Sequence, residues 1–149
     1  MDTHKFNGAD ASKAFIFAGN AVFTLRSAIT GTRYTYKVTK AEKREGHDNE
    51  PDTFFVKYLT GPDNMSDYTY MGFIRNNTFS IGRKGVLTMD SGPVVALTYA
   101  LTHLVAGNIP QQLEIFHEGR CGRCGRRLTV PESVESGFGP ECINLMGVA

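Results

Sequence analysis

Apolar and polar residues alternate along most of the segment 22–81, and this pattern predicts β-strands. At its start, Phe23 and Leu25 alternate with Thr24 and Arg26, so the two kinds of side chain point to opposite faces. This period is typical of antiparallel strands that are buried on one face. Similar stretches, separated by turn-forming or strongly polar residues, predict five strands at 22–27, 33–40, 54–59, 67–75 and 78–81. Because most of the connections are short, these strands predict an antiparallel meander.

The pattern becomes helical after residue 90. Apolar residues then recur every three or four positions, at Val94, Leu97, Leu101, Leu104 and Val105. Asp90 or Ser91 can cap this helix, Pro93 suits its first turn, and a following Gly-Asn pair suits its end. Its apolar face has only the meander to pack against, so residues 1–112 are predicted to form an α+β body. Residues 1–20 are predicted to be a short helical or irregular lead-in.

The composition is that of an ordinary globular protein with balanced charge. The chain has 149 residues, of which 41% are hydrophobic, and a net charge of +1. A strongly basic coat for nonspecific nucleic-acid binding is therefore excluded, although a local basic surface is not. No stretch approaches the roughly 18 consecutive apolar residues of a membrane span, and residues 1–5 lack the apolar core of a signal peptide. We therefore expect a soluble, cytoplasmic protein.

The three cysteines, Cys121, Cys124 and Cys142, all lie near the end of the sequence. An odd number of cysteines at one end of an unsecreted chain is atypical of disulfides and typical of a metal site. A Cys-x-x-Cys spacing with glycine after each cysteine lets two thiolates reach one ion, and Cys142 supplies a third ligand for one structural zinc ion. Two alternatives stay open, namely buried or redox-active thiols and a catalytic zinc that carries a water molecule.

His117 is the candidate for the fourth zinc ligand, because it lies four residues before Cys121 and can fold back toward it. The other histidines are weaker candidates. His103 falls inside the predicted helix, and His4 and His47 fall in polar segments.

The predicted ligands suggest a small module of their own at residues 113–149. A helix that begins near residue 140 would place Cys142 in its first turn, where the helix dipole favours the thiolate. A Cys-x-x-Cys turn followed by such a helix predicts a treble-clef-like geometry. Zinc binding of this kind contributes on the order of 10 kcal/mol to folding, which a segment too short for its own core requires.

Four arginines surround the Cys-x-x-Cys turn, at Arg120, Arg123, Arg126 and Arg127. With only Glu118 opposing them, they leave a local charge of +3 between residues 117 and 130. The planar fork of arginine suits phosphate contacts, which makes this segment a candidate surface for nucleic acid or a partner protein. Aromatic residues of the strands can stack bases if they are exposed. The alternative is that the arginines bond to nearby carbonyls and that the aromatic residues form the core.

The last third of the sequence also resembles a known family. The run CGRCGRRLTVPES, from Cys121 to Ser133, followed by GFGPEC up to Cys142, is similar to a family of small uncharacterised zinc-binding domains common in phage and prophage proteins. The upstream segments 23–27, 30–36 and 59–63 resemble parts of phage proteins that carry this tail. The resemblance implies zinc and a phage or mobile-element origin, and it implies no established activity.

No catalytic motif is present, since the sequence lacks a nucleophile elbow, a P-loop, a dinucleotide fingerprint and a His-Glu-x-x-His motif. We therefore expect a non-enzymatic phage-type accessory protein that binds nucleic acid or a host protein that handles nucleic acid, with no membrane or small-molecule substrate. If phage-encoded, it would act in the host bacterial cytoplasm. The alternative is a protein-binding inhibitor of host defence, such as an anti-CRISPR or another antidefence factor.

Overall fold

The computed structural model describes residues 4–43, 45–47, 49–63, 65–83, 86–128, 134, 136–139 and 142. The order of elements is α1 (Ala9–Ile16), β1 (Asn20–Ser27), β2 (Arg33–Lys40), β3 (Thr53–Leu59), β4 (Tyr68–Arg75), β5 (Thr78–Ile81), α2 (Gly92–Val105) and β6 (Leu113–His117). Among these residues, no helix has the length and apolar character that a bilayer crossing requires. The structure is therefore of the predicted α+β class.

All the strands belong to one antiparallel sheet with the order β5-β4-β3-β2-β1-β6. The first five strands form the predicted meander. The prediction of five strands is wrong by one, because β6 adds a sixth strand beside β1, with Ile115 opposite Leu25 and His117 opposite Phe23. The body has the predicted main helix, α2, and the shorter helix α1 forms within the lead-in that was predicted to be helical or irregular.

The sixth strand belongs to the sheet of the body, although the predicted division of the chain after residue 112 assigns it to the second module. Segment 113–117 (LEIFH) alternates buried and half-buried side chains, so its apolar positions join the inner face of the sheet. The backbone on its outer edge is partly covered, because the Phe6 N–H donates to the Ile115 carbonyl at 2.8 Å. A cut between residues 112 and 113 would separate β6 from the sheet that it completes.

The core lies between the inner face of the sheet and the two helices. Buried inner-face residues include Phe23, Tyr36, Val38, Val56 and Ile74, and the helices add Phe15, Ile16, Leu97 and Leu101. Tyr36 ties the layers together, since its hydroxyl donates a hydrogen bond of 2.6 Å to the Pro93 carbonyl at the start of α2. Burial raises the pKa of Tyr36 above its ordinary range, so this hydroxyl keeps its proton and stays a donor.

The predicted treble clef is tested only in its first part. The helix predicted to begin near residue 140 falls largely outside the described residues. The described part consists of the turn that carries Cys121 and Cys124, together with Cys142.

Candidate metal centre

The three cysteines come together as the sequence predicts. Their sulfur atoms all lie within 4.8 Å of one another, and none of the three is in a disulfide. A tetrahedral zinc ion with bonds of about 2.3 Å holds its sulfur ligands about 3.8 Å apart, so this group fits one ion with little adjustment. Cys121 and Cys142 are buried, whereas Cys124 is exposed. The group can hold a metal ion.

A tight hairpin, which we call the knuckle (residues 119–128), presents the first two cysteines. The Cys121 N–H donates to the Arg126 carbonyl at 2.8 Å, and the Gly125 N–H donates back to the Cys121 carbonyl at 2.9 Å. Gly125 has a φ of +78°, a conformation that glycine adopts without strain. The two ends of the hairpin are joined by a hydrogen bond of 2.8 Å from the Leu128 N–H to the Gly119 carbonyl.

The knuckle is docked on the body through Phe15 of α1. Gly122 lies so close to this ring that a Cβ atom at Gly122 would be 2.6 Å from the ring edge. The Asn20 N–H of β1 donates to the Gly122 carbonyl at 2.8 Å, and the Gly122 N–H donates to the Gly137 carbonyl at 2.9 Å. Sequence reasoning gave Phe15 no role at the site. The signal available was a fully apolar end to a short amphipathic helix, which requires a partner.

The surroundings of the sulfur atoms favour the thiolate form at Cys121 and disfavour it at Cys142. Burial raises the pKa of the Cys121 thiol, but the backbone N–H groups of Cys124, Gly139 and Arg123 oppose it and lower the pKa to about 7. Burial also raises the pKa of Cys142, and the Arg123 guanidinium, 3.7 Å from its sulfur, only partly offsets that effect. A cation between the sulfur atoms would stabilise the thiolate form of both residues.

Residues 111–147 match DUF6011, a family of unknown function. The matched segment includes β6, the knuckle and all three cysteines, so the strand and the metal ligands fall in one stretch of similarity. The match supports the expected similarity of the tail to an uncharacterised family, while the phage origin stays a prediction. No curated protein and no solved structure is significantly similar to the chain.

His117 is not brought into the cysteine group. Its ring is buried at the end of β6, where it stacks on the His4 ring at 4.7 Å and lies 5.8 Å from the Phe15 ring. Nδ1 accepts the Gly119 N–H at 2.9 Å, so Nε2 carries the proton and donates it to the Val134 carbonyl. Neither nitrogen therefore has a free lone pair, and metal binding by His117 would require the loss of one of these bonds.

The burial of His117 lowers its pKa, and the Val134 hydrogen bond offsets this only in part. The ring thus stays neutral and joins β6, the knuckle and Val134 by hydrogen bonds. This placement favours a structural role for His117 over the predicted role of fourth ligand.

Replacement of His117 by alanine is expected to leave metal binding by the cysteines intact and to lower the free energy of unfolding by about 2–4 kcal/mol, because a packed ring and two buried hydrogen bonds are lost. The matched control is His103→Ala, a half-buried ring on α2 that contacts Tyr99. Metal content per chain and urea unfolding are the measurements. Loss of the metal from the His117 variant alone would restore His117 as a ligand.

The four predicted contact arginines divide into two pairs. Arg120 and Arg123 are used within the site, since the Arg120 guanidinium donates to the Gly125 carbonyl at 3.2 Å and Arg123 donates to the Cys142 sulfur. Arg126 and Arg127 are exposed. In the described part of the chain, neither of these two forms an ion pair.

Proposed function

We propose that the protein is a non-catalytic nucleic-acid-binding protein whose knuckle is stabilised by one structural zinc ion. The ligands are Cys121, Cys124 and Cys142, together with a fourth ligand that completes the tetrahedron. Soft thiolates select zinc, copper(I) or iron–sulfur clusters, and a tetrahedral sulfur-rich set in a short hairpin is the usual structural zinc site. A zinc ion held in this way contributes stability and fixes the backbone of the hairpin.

The observation that carries the proposal is the exposed pair Arg126 and Arg127 on the rigid knuckle. Phosphate backbones are contacted mainly by arginine and lysine, and the free fork of arginine can bind a phosphate through two parallel hydrogen bonds. A hairpin fixed by a metal ion and by cross-strand hydrogen bonds loses little entropy when its side chains bind. Glu118, which lies between β6 and the knuckle, accepts a hydrogen bond from the Thr24 hydroxyl at 3.2 Å.

The double variant Arg126→Glu with Arg127→Glu is expected to weaken binding of an oligonucleotide by at least about tenfold at physiological salt. The loss of two phosphate contacts should also make the slope of log affinity against log salt less steep by about 1.4. Fluorescence anisotropy of a labelled oligonucleotide measures both effects. The matched control is Lys13→Glu with Arg83→Glu, which changes the net charge equally. Equal affinities for the two double variants would contradict a role of the knuckle in binding.

A second candidate, the protein-binding inhibitor of host defence, is favoured by apolar side chains at the surface near α2. Val86, Met89 and Val95 are 72%, 54% and 52% exposed, and Tyr99 is 36% exposed. Val95 and Tyr99 line one groove, and an apolar patch at a surface is typical of protein interfaces. Binding through this surface would be insensitive to salt, whereas binding to phosphates would not. A pull-down at low and high salt, analysed for both protein and nucleic acid, separates the two functions.

A further inference from the structure

The sheet has a second face, on the side opposite the helices, that carries aromatic and cationic side chains together. We call this surface the open face. It consists of outward-facing residues of three adjacent strands, β2, β3 and β4. They are Lys37, Phe55, Lys57, Tyr70, Phe73 and Arg75.

The aromatic side chains of the open face lie side by side. Phe55 on β3 is directly opposite Phe73 on β4, and its ring centroid is 6.3 Å from that of Tyr70. Phe55 is 42% exposed, although phenylalanine is usually buried. The register places these rings where nothing from α1 or α2 can cover them, because both helices pack on the inner face. Phe55 is exposed while Phe73 and Tyr70 are half-buried, and together the three rings offer a stacking surface.

The cationic side chains of the open face stand beside the rings, and Glu42 and Glu50 line the groove that Phe55, Phe73 and Arg75 also line. The Arg75 guanidinium lies 5.6 Å from the Phe73 ring centroid and donates to the Thr53 hydroxyl at 2.9 Å, so its fork is held in place. The Lys37 ammonium lies 5.9 Å from the Tyr68 ring centroid. Within the described residues, no ion pair includes a cation of the open face. By contrast, Lys40 at the end of β2 and Lys43 of the β2–β3 connection share Asp52.

Two of these cations also face each other. Lys37 is directly opposite Lys57 in the β2–β3 register. Like charges at directly opposite positions of an antiparallel pair destabilise the sheet. The arrangement is unfavourable for the folded protein alone and becomes favourable when an anion lies between the two ammonium groups. The open face therefore combines flat rings with a position suited to phosphate.

We propose that the open face binds single-stranded nucleic acid, with bases stacked on Phe55 and Phe73 and phosphates at Lys37 and Lys57. This inference rests on the proposed function and names its substrate class. Aromatic rings on a flat surface stack only unpaired bases, since the bases of a duplex are stacked on one another. A protein partner fits this surface poorly, because the centres of protein interfaces are depleted of lysine.

The first test replaces Phe55 by alanine. Each base stacked on an aromatic side chain contributes enough affinity that its loss is expected to weaken binding about 5- to 100-fold. The matched control is Tyr99→Ala, which removes a similarly exposed ring from α2. Anisotropy is measured with labelled oligo(dT), with oligo(U) and with a duplex, so that DNA, RNA and paired strands are compared directly. The variant should affect the single strands and leave duplex binding unchanged.

The second test replaces Lys37 by glutamate and predicts two effects of opposite sign. The variant turns a repulsive pair with Lys57 into an attractive one, so its Tm should rise or stay unchanged. Its affinity for single strands should fall at least about fivefold, with a less steep salt slope. Lys13→Glu is the control, because Lys13 lies on α1, on the other side of the sheet. This test does not depend on the folding of the Phe55 variant.

The outcomes separate this inference from the proposed function. If single strands bind, the knuckle variants weaken binding, and neither Phe55→Ala nor Lys37→Glu does, the open face is not the binding surface and only the inference is overturned. If the protein binds neither single strands nor duplex, both proposals are overturned. If the open-face variants weaken single-strand binding while their controls do not, the inference is supported.

Discussion

Replacement of Cys121 by serine is expected to abolish binding of the proposed zinc ion and to unfold the knuckle. The sulfur of Cys121 is fully buried and is surrounded by backbone N–H groups that favour its thiolate. A serine hydroxyl keeps its proton at neutral pH and is a poor zinc ligand. Because binding of a structural zinc ion contributes on the order of 10 kcal/mol, its loss exceeds what the few other contacts of the hairpin can offset.

The measurement is metal content per chain, followed by limited proteolysis. The Cys121 variant should contain no zinc and should be cleaved within residues 119–128, while the sheet keeps its circular dichroism because β1–β5 pair without the knuckle. Met65→Ser serves as the control, since it removes an exposed sulfur atom far along the chain from the cysteines. If the variant fails to fold, chelation of zinc from the unmodified protein should expose the same cleavage sites. Zinc content equal to that of the control would contradict the site.

The second large effect is expected for Phe15→Ala, with a loss of about 3–5 kcal/mol in the free energy of unfolding. Phe15 is completely buried, and its ring lies 5.2 Å from Phe6 and 5.9 Å from Phe138. Its removal leaves a cavity at the contact between α1, β6 and the knuckle. The knuckle also loses the ring against which Gly122 packs.

The control for Phe15→Ala is the same substitution at the exposed Phe55. Since that ring lies on the surface, its loss should cost about 1 kcal/mol or less. Urea unfolding of both variants measures the difference. If Phe15→Ala were no more destabilising than Phe55→Ala, the knuckle would not be docked through α1.

The strands of the meander were predictable because their signals are local. Alternating side chains and turn residues define β2 and β5 with the bounds found in the structure, and the remaining strands of the meander differ by one or two residues at their ends. Pro93 and the apolar spacing likewise identify α2. Such patterns depend only on neighbouring residues, so tertiary packing did not change them.

The sixth strand was not predictable in the same way. β6 is only five residues long, and its partner β1 lies about ninety residues earlier in the chain. Nothing local distinguishes a short alternating segment that completes a sheet from one that leads into a metal site. The structural setting of His117 follows from this pairing, since its place opposite Phe23 buries the ring among aromatic neighbours.

The metal ligands were only partly predictable. The spacing of Cys121 and Cys124 indicates a local turn, and Cys142 was found because it is the one remaining cysteine of the chain. The use of Arg120 and Arg123 inside the site depends on carbonyl and sulfur positions that spacing does not reveal. Whether these two arginines also contact a partner stays a prediction, and Arg123 is exposed at the surface.

The most direct test of the account is the affinity of the zinc-loaded protein for labelled oligo(dT) as a function of salt concentration. Contacts from Arg126, Arg127, Lys37 and Lys57 to phosphates predict measurable binding at low salt and a slope of log affinity against log salt of about −3. Absence of binding at low salt, or an affinity that does not change with salt, would contradict the proposal that this protein binds nucleic acid.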